Sequence, residues 1–457
     1  MARLMSFFPL LIIIAFFVLH LMFVFYPRPL IWDESVYVGM GKFLFSAGTI
    51  GLWEDLRPMG MALIYGPLSL LGLPVVSLGP FLSILFSTAL LFLVYVIARK
   101  IHSSQAGLFA LMIFASLPLF NYYSDFLLAD IPASFLSLLA IYLYSKDRHF
   151  LSGLIASFAF LLRFPAGLAL IIISIFCLFD AFRSKSPKGL LFFLSGTACV
   201  ILPLFIFNSV FYSGAPFAFI SPLLNGFASQ GNPSDASIWY FYFWKMPVIL
   251  WLLALAGVYF ARNKSRSIVN PLLAYLTLSL VYYSLILNKQ ERFMLMFLHL
   301  IAVFAGIALA VWFSRLSVAK PIFCAILISV CVFSLVPHLV SELKERQESV
   351  EMDDYLFFFA AHPSRGILTQ DPVPAAYVDA RFYPFYTKDL EAKYAFYKQV
   401  ADYVIYTNET YWCAHGDVSC EERVDNMTRI IEEHGALVFN STYNSKNYRI
   451  YKSISLS

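Results

Sequence analysis

Long apolar segments recur between Ser6 and Val340 and decide which folds are open to this chain. Many of these runs reach the 17 to 25 residues that cross a hydrocarbon layer roughly 30 Å thick as a helix. Of the 457 residues, 60% are hydrophobic and 13% are charged, whereas soluble domains carry about 25% charged residues. A water-soluble core cannot hold that much apolar surface, so we expect a polytopic α-helical membrane protein.

About eleven segments are expected to span the membrane. The first of them ends in Pro27-Arg28-Pro29 without a small-residue cleavage site, so we interpret it as a retained anchor rather than a signal peptide. The expected spans are 6–26, 78–98, 106–121, 126–145, 150–163, 165–182, 189–212, 238–261, 269–287, 293–314 and 318–338.

Basic residues occur in alternate loops, and this asymmetry predicts the orientation. If the N-terminus is cytoplasmic, only Asp147 and Asp180 oppose the bases on that side. The positive-inside rule therefore predicts a cytoplasmic N-terminus, with the loop 27–77 and the segment after Val340 outside the cytoplasm. The formal net charge of +4 is spread over short loops and forms no basic stripe, so no nucleic-acid partner is expected. The cytoplasmic bases are Arg3, Arg99, Lys100, Lys146, Arg148, Arg183, Lys185, Lys188, Arg262, Lys264, Arg266, Arg315 and Lys320.

The composition changes after Val340, where an ordinary globular mixture begins. Helical character over 343–359 and 425–433, with strand character over 402–406 and 448–451, predicts a small extracytoplasmic α/β domain. The chain is thus divided into a transmembrane domain, 1–340, which includes the long first external loop 27–77, and a second domain, 341–457.

Two kinds of modification site are candidates in the second domain. Glycosylation sequons begin at Asn408, Asn426 and Asn440, in agreement with an external position. Cys413 and Cys420 flank a short external loop, so a disulfide is the favoured interpretation. His415 lies between them and leaves a metal site open as an alternative, although three ligands are few for zinc.

Two adjacent carboxylates, Asp33 and Glu34, follow the first span on the expected external side. Ionisable groups near membrane depth persist mainly where they line a pathway or a site. The residues that follow, Tyr37 to Ala47, predict an amphipathic helix that ends at Gly48. Asp33 has a plainer alternative role as the N-cap of that helix.

Several short motifs share their order and spacing with a known superfamily. They are Trp32-Asp33-Glu34, Arg57-Pro58, Asp125 with Asp130, Leu161-Leu-Arg-Phe-Pro165 and Lys289-Gln-Glu-Arg-Phe293. They resemble the protein O-mannosyltransferases and bacterial aminoarabinose transferases of the GT-C superfamily, over most of residues 1 to 340. The resemblance implies a GT-C-like fold that moves a sugar, by inversion, from a polyprenyl-phosphate donor to a hydroxyl on a protein, glycan or lipid acceptor outside the cytoplasm. It also suggests mannose on a dolichyl phosphate.

The resemblance gives Asp33 the role of the catalytic residue. A lipid phosphate is already a good leaving group, so such an enzyme chiefly needs a base for the acceptor hydroxyl and cations for the departing phosphate. Glu34 would orient Asp33 or the acceptor, or would be a first-turn helix charge. No cofactor is firmly implied, and the loop has no Asp-x-Asp pair that indicates a divalent metal.

The remaining charged candidates stand at expected external helix ends. Arg163, Lys289 and Arg292 are candidates for binding the donor phosphate, with Arg57 a weaker fourth. Lys289 and Arg292 have the alternative role of interface anchors that reach towards the headgroups of membrane lipids. The acids Asp125 and Asp130 would bind the acceptor or pair with external bases.

Two other functions fit a polytopic protein. A lipid or solute transporter or flippase also needs many helices with charges, but transporters place charges near the midplane and show repeated halves. Here the charges lie at the expected external rim, and no repeated halves are evident. A noncatalytic assembly subunit would keep the same topology, and a donor-dependent transfer assay distinguishes it from an enzyme.

Overall fold

A computed structural model shows a mostly helical chain with one five-stranded sheet near its C-terminal end. Its contacts form two compact units. The membrane unit holds the described residues of 1–25, 80–217 and 240–344, and the sheet unit holds those of 26–79 and 345–457. The described residues are 2–26, 28–55, 57–212, 214–217, 240–286, 289–316, 320–348, 353–364, 366–385, 394, 400–407, 418–443 and 446–453.

Each of the eleven expected spans overlaps at least one observed helix. The expected span 106–121 is broken in two, because Pro118 opens a new helix and cannot donate the hydrogen bond that would continue the old one. The helices are Ala2–Phe23, Val75–Ile101, Ser104–Ala115, Pro118–Tyr122, Asp130–Tyr144, His149–Leu162, Gly167–Ser184, Lys188–Phe211, Phe241–Lys245, Val248–Ala261, Arg266–Leu285, Leu295–Arg315 and Lys320–Glu348, with short 3-10 helices at Phe164–Ala166 and Glu291–Met294.

Six helices in the described part of the chain are long and apolar enough to cross a membrane. Shorter apolar helices of 10 to 17 residues accompany them. The protein is therefore a multi-pass membrane protein, while the expected number of about eleven spans stays a prediction. The six long helices are Val75–Ile101, Phe164–Ser184, Lys188–Phe211, Arg266–Leu285, Glu291–Arg315 and Lys320–Arg346.

The helix Leu295–Arg315 forms the centre of the membrane unit and is buried along most of its length. Gly306 lets it approach the helix Ser104–Ala115, since a Cβ there would lie 2.4 Å from the Ala110 nitrogen. Small residues at such crossings allow close helix packing in membranes. This close packing holds the helix that follows Arg292 against the helix Ser104–Ala115.

The sheet unit combines the first loop with the C-terminal segment. Its sheet has the order β2-β1-β3-β5-β4, in which β1 pairs in parallel with β2 and β3, while β5 pairs antiparallel with β3 and β4. The strands are β1 Gly366–Thr369, β2 Arg381–Pro384, β3 Tyr403–Tyr406, β4 Gly435–Tyr443 and β5 Lys446–Ser453. The helices are Trp32–Phe45, Gly60–Leu70, Asp353–Ala361, Val373–Tyr377 and Val418–His434.

The expected elements of the C-terminal segment are found only in part. The expected strands coincide with β3 and β5, and the expected helix 425–433 lies within Val418–His434. The expected helix 343–359 is divided between the end of Lys320–Glu348 and Asp353–Ala361. Strands β1, β2 and β4 have no counterpart in the sequence-based expectation.

The first loop is joined to the C-terminal segment by backbone pairing and by a common core. The Gly51 amide donates to the Ala380 carbonyl at 2.8 Å, and the Phe382 amide donates to the Gly51 carbonyl at 2.8 Å. Only glycine fits at position 51, because its φ is +82° and a Cβ would lie 2.3 Å from the Gly39 carbonyl oxygen. Val36 and Met40 are buried in the same apolar cluster as residues from β1, β3 and β5.

The observed grouping differs from the sequence-based division. That division assigned the loop 27–77 to the transmembrane domain 1–340, whereas contacts group it with the C-terminal segment. The physical reason is that the loop buries its apolar residues among those of the C-terminal segment. The expected boundary at residue 340 lies close to the end of the membrane unit at Lys344.

Candidate active site

Asp33 lies in the first turn of the helix Trp32–Phe45, which we call the loop helix. Its carboxylate is buried, with 8% of the residue exposed, and its Oδ1 lies 2.6 Å from Nη2 of Arg57. The loop helix begins after an extended Ile31, whose amide donates to Oε2 of Glu34 at 2.9 Å. The interpretation of Asp33 as the N-cap is therefore wrong, because Glu34 reaches back to the start of the helix instead.

Glu34 is fully buried and forms a two-pronged ion pair with Arg28. The Arg28 nitrogens Nη2 and Nη1 lie 2.5 and 2.8 Å from the two Glu34 oxygens. Such paired contacts hold both partners firmly in one geometry. Of the two roles that the sequence left open for Glu34, these contacts favour the one at the helix start. Arg28 was not among the residues expected from the sequence, although its position a few residues before the two carboxylates was the available signal.

Arg57 lies between two carboxylates. Besides Asp33, its Nε is 3.4 Å from Oε1 of Glu54. Burial lowers the pKa of Arg57, but the charges of Asp33 and Glu54 outweigh burial, so this pKa lies well above its ordinary value. Asp33 thus faces a permanent cation, and a nearby cation favours the charged form of a carboxylate, which is the form a general base needs.

Arg163 and Asp130 form a buried ion pair in the membrane unit. Arg163 follows the helix His149–Leu162 in an extended conformation, and its Nη1 lies 2.8 Å from Oδ1 of Asp130. Asp130 is the first residue of the helix Asp130–Tyr144 and is 1% exposed. One of the predicted acids therefore pairs with one of the predicted bases. Asp125 is also buried, in the segment before that helix.

Two arginines share the ring of Phe293. The Cζ atoms of Arg163 and Arg292 lie 4.7 and 5.6 Å from the ring centre. The Arg292 Nε also donates to Oε1 of Gln290 at 2.6 Å. Guanidinium groups stack readily on aromatic faces, which leaves their edges to donate hydrogen bonds. The arrangement brings two of the predicted phosphate ligands together.

Lys289 has a different environment. Its ammonium donates to the backbone carbonyls of Ser284 and Ile286 at 2.9 and 2.6 Å, and a third carbonyl, of Tyr283, lies at 3.5 Å. Burial lowers its pKa. An ammonium group has three hydrogens, so these contacts use it to cap the C-terminal end of the helix Arg266–Leu285.

The remaining candidates are less completely described. Cys413, His415 and Asn408 lie outside the described residues, so the disulfide, the alternative metal site and the first sequon stay predictions. Asn426 lies on the helix Val418–His434 and Asn440 is exposed on β4. Within the described ranges, no cluster of three or more His, Cys, Asp or Glu side chains is arranged to hold a metal ion.

Residues 59–379, more than half of the chain, match the family model of Alg9-like mannosyltransferases. The chain belongs to the Alg9-like mannosyltransferase family. This protein is therefore a membrane glycosyltransferase of the GT-C superfamily, as its motifs indicated. The match includes Asp125, Asp130, Arg163, Lys289 and Arg292. It begins after Asp33, Glu34 and Arg57, so their roles depend on the motif resemblance and on their geometry.

Solved structures of other glycosyltransferases share this fold. ArnT from Cupriavidus metallidurans, bound to undecaprenyl phosphate, has a TM-score of 0.67 and 13% identity, over 98% of each chain. AglB, the oligosaccharyltransferase of Archaeoglobus fulgidus, in complex with an inhibitory peptide and a dolichol-phosphate, has a TM-score of 0.60 and 13% identity over 98% of this chain and 74% of AglB. The arabinofuranosyltransferase AftD from Mycobacteria has a TM-score of 0.52 and 13% identity over 99% of this chain and 40% of AftD. At these identities the likeness concerns the fold alone. No curated protein matches the chain by sequence.

Proposed function

We propose that this glycosyltransferase moves a sugar, with inversion, from a polyprenyl-phosphate donor to a hydroxyl group on the extracytoplasmic side of the membrane. The observation that carries the proposal is the buried carboxylate of Asp33, held 2.6 Å from the permanent cation of Arg57. The lipid phosphates bound to ArnT and to AglB support a donor of this class. The family description supports mannose as the sugar.

In the proposed reaction Asp33 acts as the general base. Its carboxylate accepts the proton of the acceptor hydroxyl while the hydroxyl oxygen attacks the anomeric carbon. The bond between that carbon and the phosphate oxygen breaks, and the polyprenyl phosphate leaves with the electron pair. A single displacement of this kind inverts the anomeric configuration. Asp33 then returns its proton to the solvent.

Arg163 and Arg292 are proposed to bind the donor phosphate. Phosphate gains charge as the glycosidic bond breaks, so fixed cations stabilise the transition state more than the bound donor. Lys289 is proposed to act through its charge, since its ammonium already contacts backbone carbonyls. Arg57 is proposed to favour the charged form of Asp33 rather than to bind the phosphate, because it already pairs with two carboxylates.

The orientation is also part of the proposal. The first loop and the C-terminal segment share one core, so they lie on the same side of the membrane. Ten expected spans separate them, and an even number returns the chain to the side it left. The positive-inside distribution supports the extracytoplasmic side for both.

A transfer assay tests the function. The purified full-length protein, in lipid nanodiscs, is given dolichyl-phosphate β-mannose and membranes from cells that lack the protein, which supply the acceptors. We expect label to move to acceptor material as an α-linked mannose that an α-mannosidase releases. A β-linked product would contradict single displacement. In a parallel assay with sealed proteoliposomes, movement of intact donor across the bilayer without cleavage would favour the flippase.

A further inference from the structure

A cavity of about 650 Å³ lies beside His149, the first residue of the helix His149–Leu162. We call it the end cavity, because it lies at the expected cytoplasmic ends of several membrane helices. Arg163 follows the other end of the same 14-residue helix, which is roughly 20 Å long. The end cavity is therefore separate from Arg163 and the phosphate ligands proposed beside it. Its volume is in the range of small-ligand sites, about 300 to 1,000 Å³.

Side-chain contacts hold two lining residues of the end cavity in place. The Tyr144 hydroxyl donates to Oδ2 of Asp180 at 2.5 Å, and the Tyr144 ring centre lies 5.8 Å from that of His149. A Cβ at Gly189 would lie 3.0 Å from Nε2 of His149, so glycine at this position lets the next helix pack closely on the imidazole. The carboxylate of Asp180 and the ring of His149 thus have defined positions.

Two lining residues of opposite charge do not pair with each other. Neither Asp147 nor Arg183 forms an ion pair within the described part of the chain, although both line the end cavity. A purely anionic ligand would face the carboxylates of Asp147 and Asp180, and a purely cationic ligand would face Arg183. A ligand with one positive and one negative group matches both charges.

The basic side of the end cavity has the chemistry of a phosphate site. Besides Arg183, it contains residues from the first turns of two long helices, Gly189 of Lys188–Phe211 and Ser267 of Arg266–Leu285. The first amides of a helix have no acceptor within the helix and readily bind phosphate. Arginine forms strong charge-assisted hydrogen bonds with phosphate. The negative group of the ligand is therefore best matched by a phosphate.

An apolar cleft adjoins the end cavity. This second cavity, of about 220 Å³, shares Asp147 and His149 with the end cavity and is also lined by Phe150, Leu151 and Phe192. These three apolar side chains are exposed on the outside of the membrane unit. Exposed apolar surface of this kind contacts lipid in a membrane protein. A polar cavity beside an apolar cleft matches a lipid, which has a polar headgroup and acyl chains.

We propose that the end cavity binds the headgroup of a zwitterionic phospholipid with a primary amine. The phosphate lies at Arg183 and the two helix starts, the ammonium lies at Asp147 and Asp180, and an acyl chain follows the apolar cleft. A primary ammonium group has three N–H donors for carboxylates. A trimethylated amine has none, and a glycerol headgroup carries no positive charge. The site therefore prefers phosphatidylethanolamine to phosphatidylcholine and phosphatidylglycerol.

Native mass spectrometry of the delipidated full-length protein tests this preference. The protein is titrated with the three phospholipids, which carry the same acyl chains. We expect one phosphatidylethanolamine to bind roughly tenfold more tightly than either of the others, as the loss of a charged hydrogen bond predicts. Equal affinities for the three lipids would overturn the proposal.

Two substitutions assign the preference to the end cavity. Asp147→Asn keeps the turn, because asparagine tolerates the φ of +58° at this position, and it should remove most of the preference for the primary amine. Arg183→Gln should weaken binding of all three lipids roughly tenfold. Arg262→Gln is the matched control, since Arg262 is also an exposed arginine at the end of a membrane helix but does not line the cavity. An unchanged preference in Asp147→Asn, or equal effects of the two arginine substitutions, would contradict the site.

A soluble headgroup distinguishes a lipid from a free phosphate ester. Glycerophosphoethanolamine carries the same phosphate and amine without acyl chains. We expect it to displace the lipid only at a large excess, because it cannot occupy the apolar cleft. Displacement at equal concentration would assign the end cavity to a soluble phosphate ester and overturn the lipid as its occupant.

Discussion

Asp33 and Glu34 are adjacent in sequence, yet each has its own arginine. Consecutive helix residues point about 100° apart, so Asp33 faces Arg57 while Glu34 faces Arg28. Glu34 is engaged with both the arginine and the helix start. The two carboxylates therefore carry different duties, and Asp33 is the better candidate for chemistry.

The substitution Asp33→Asn tests the proposed base. Asparagine keeps the shape of the side chain but cannot accept the hydroxyl proton, and Arg57 retains Glu54 as a partner. We expect a folded protein with wild-type melting and donor binding whose transfer rate is lower by roughly 10² or more. Asp425→Asn, which alters an exposed acid of the same unit, serves as the control. Near wild-type transfer by Asp33→Asn would remove Asp33 from the mechanism and make Glu34 the next candidate.

The substitution Arg57→Gln tests the cation beside the base. Removing a neighbouring positive charge makes the charged form of a carboxylate less favourable. The rate of transfer should therefore begin to rise at a higher pH than in the wild type, because more of the base stays protonated on the acid side. The measurement is the pH profile of kcat/KM between pH 4 and 9, a range chosen around carboxylate and imidazole values. A lower rate with an unshifted profile would argue against this role.

Arg163 and Arg292 should respond differently to substitution. Arg163→Gln leaves Asp130 buried without its ion-pair partner, which typically destabilises a protein by about 3 to 5 kcal/mol. The double variant Arg163→Gln with Asp130→Asn removes that unpaired buried charge. Arg292→Gln removes a hydrogen bond to the neutral side chain of Gln290, so this contact leaves no unpaired acid behind.

The affinity of these variants for the donor then tests whether the arginines bind its phosphate. We expect Arg292→Gln and the double variant to bind a polyprenyl phosphate more weakly, each lost contact being worth about 1.5 to 3 kcal/mol. Lys289→Met should weaken binding less, since its ammonium caps a helix. Equal affinity in all the variants would show that the arginines are interface anchors.

At the scale of helices and strands, hydrophobicity predicted the membrane elements well. A span is a local property, because about 20 consecutive apolar residues define it, and every expected span contains a helix. The short strands β1 and β2 were missed because four residues give too little alternation to recognise. Most helix ends lie within a few residues of the expected ones, but the last helix continues through Pro337 past the expected end at 338 to Glu348.

Tyr406, the last residue of strand β3, should make the stability of the folded protein depend on pH. Burial raises the pKa of Tyr406 to about 12 in the folded protein, against about 10 in an unfolded chain. The folded pKa is the higher one, so the stabilisation is fully present below pH 10 and is lost as the pH rises towards 12. Tyr406→Phe should show a smaller fall in melting temperature across this range. An identical fall in both proteins would mean that other groups govern the alkaline loss.

At the scale of the whole molecule, the partners of the site could not be predicted. Lys42 and Asp379 are separated by 337 residues, and nothing local in either stretch specifies the other. The sequence motifs placed Asp33 in the first loop, but the pairing of Arg28 with Glu34 and of Lys42 with Asp379 was recognised only from the fold. Local patterns identify a reactive residue, whereas its supporting contacts depend on tertiary packing.

The orientation of the chain is open to a direct test. Protease added to sealed cells should digest the C-terminal segment, or sugar should be found on Asn408, Asn426 or Asn440. Both outcomes follow from the positive-inside prediction. Digestion only after access to the cytoplasmic face would reverse the topology, and with it the side on which Asp33 works.

The core shared by the first loop and the C-terminal segment has a consequence for biosynthesis. Val36 and Met40 leave the ribosome long before the residues around Ile367 that cover them. At about 5–20 residues per second, the loop waits for tens of seconds with its apolar face uncovered while the intervening helices are inserted. A chain truncated before residue 366 would never cover that face. Quality-control proteases should therefore remove such fragments even when all their membrane helices are in place.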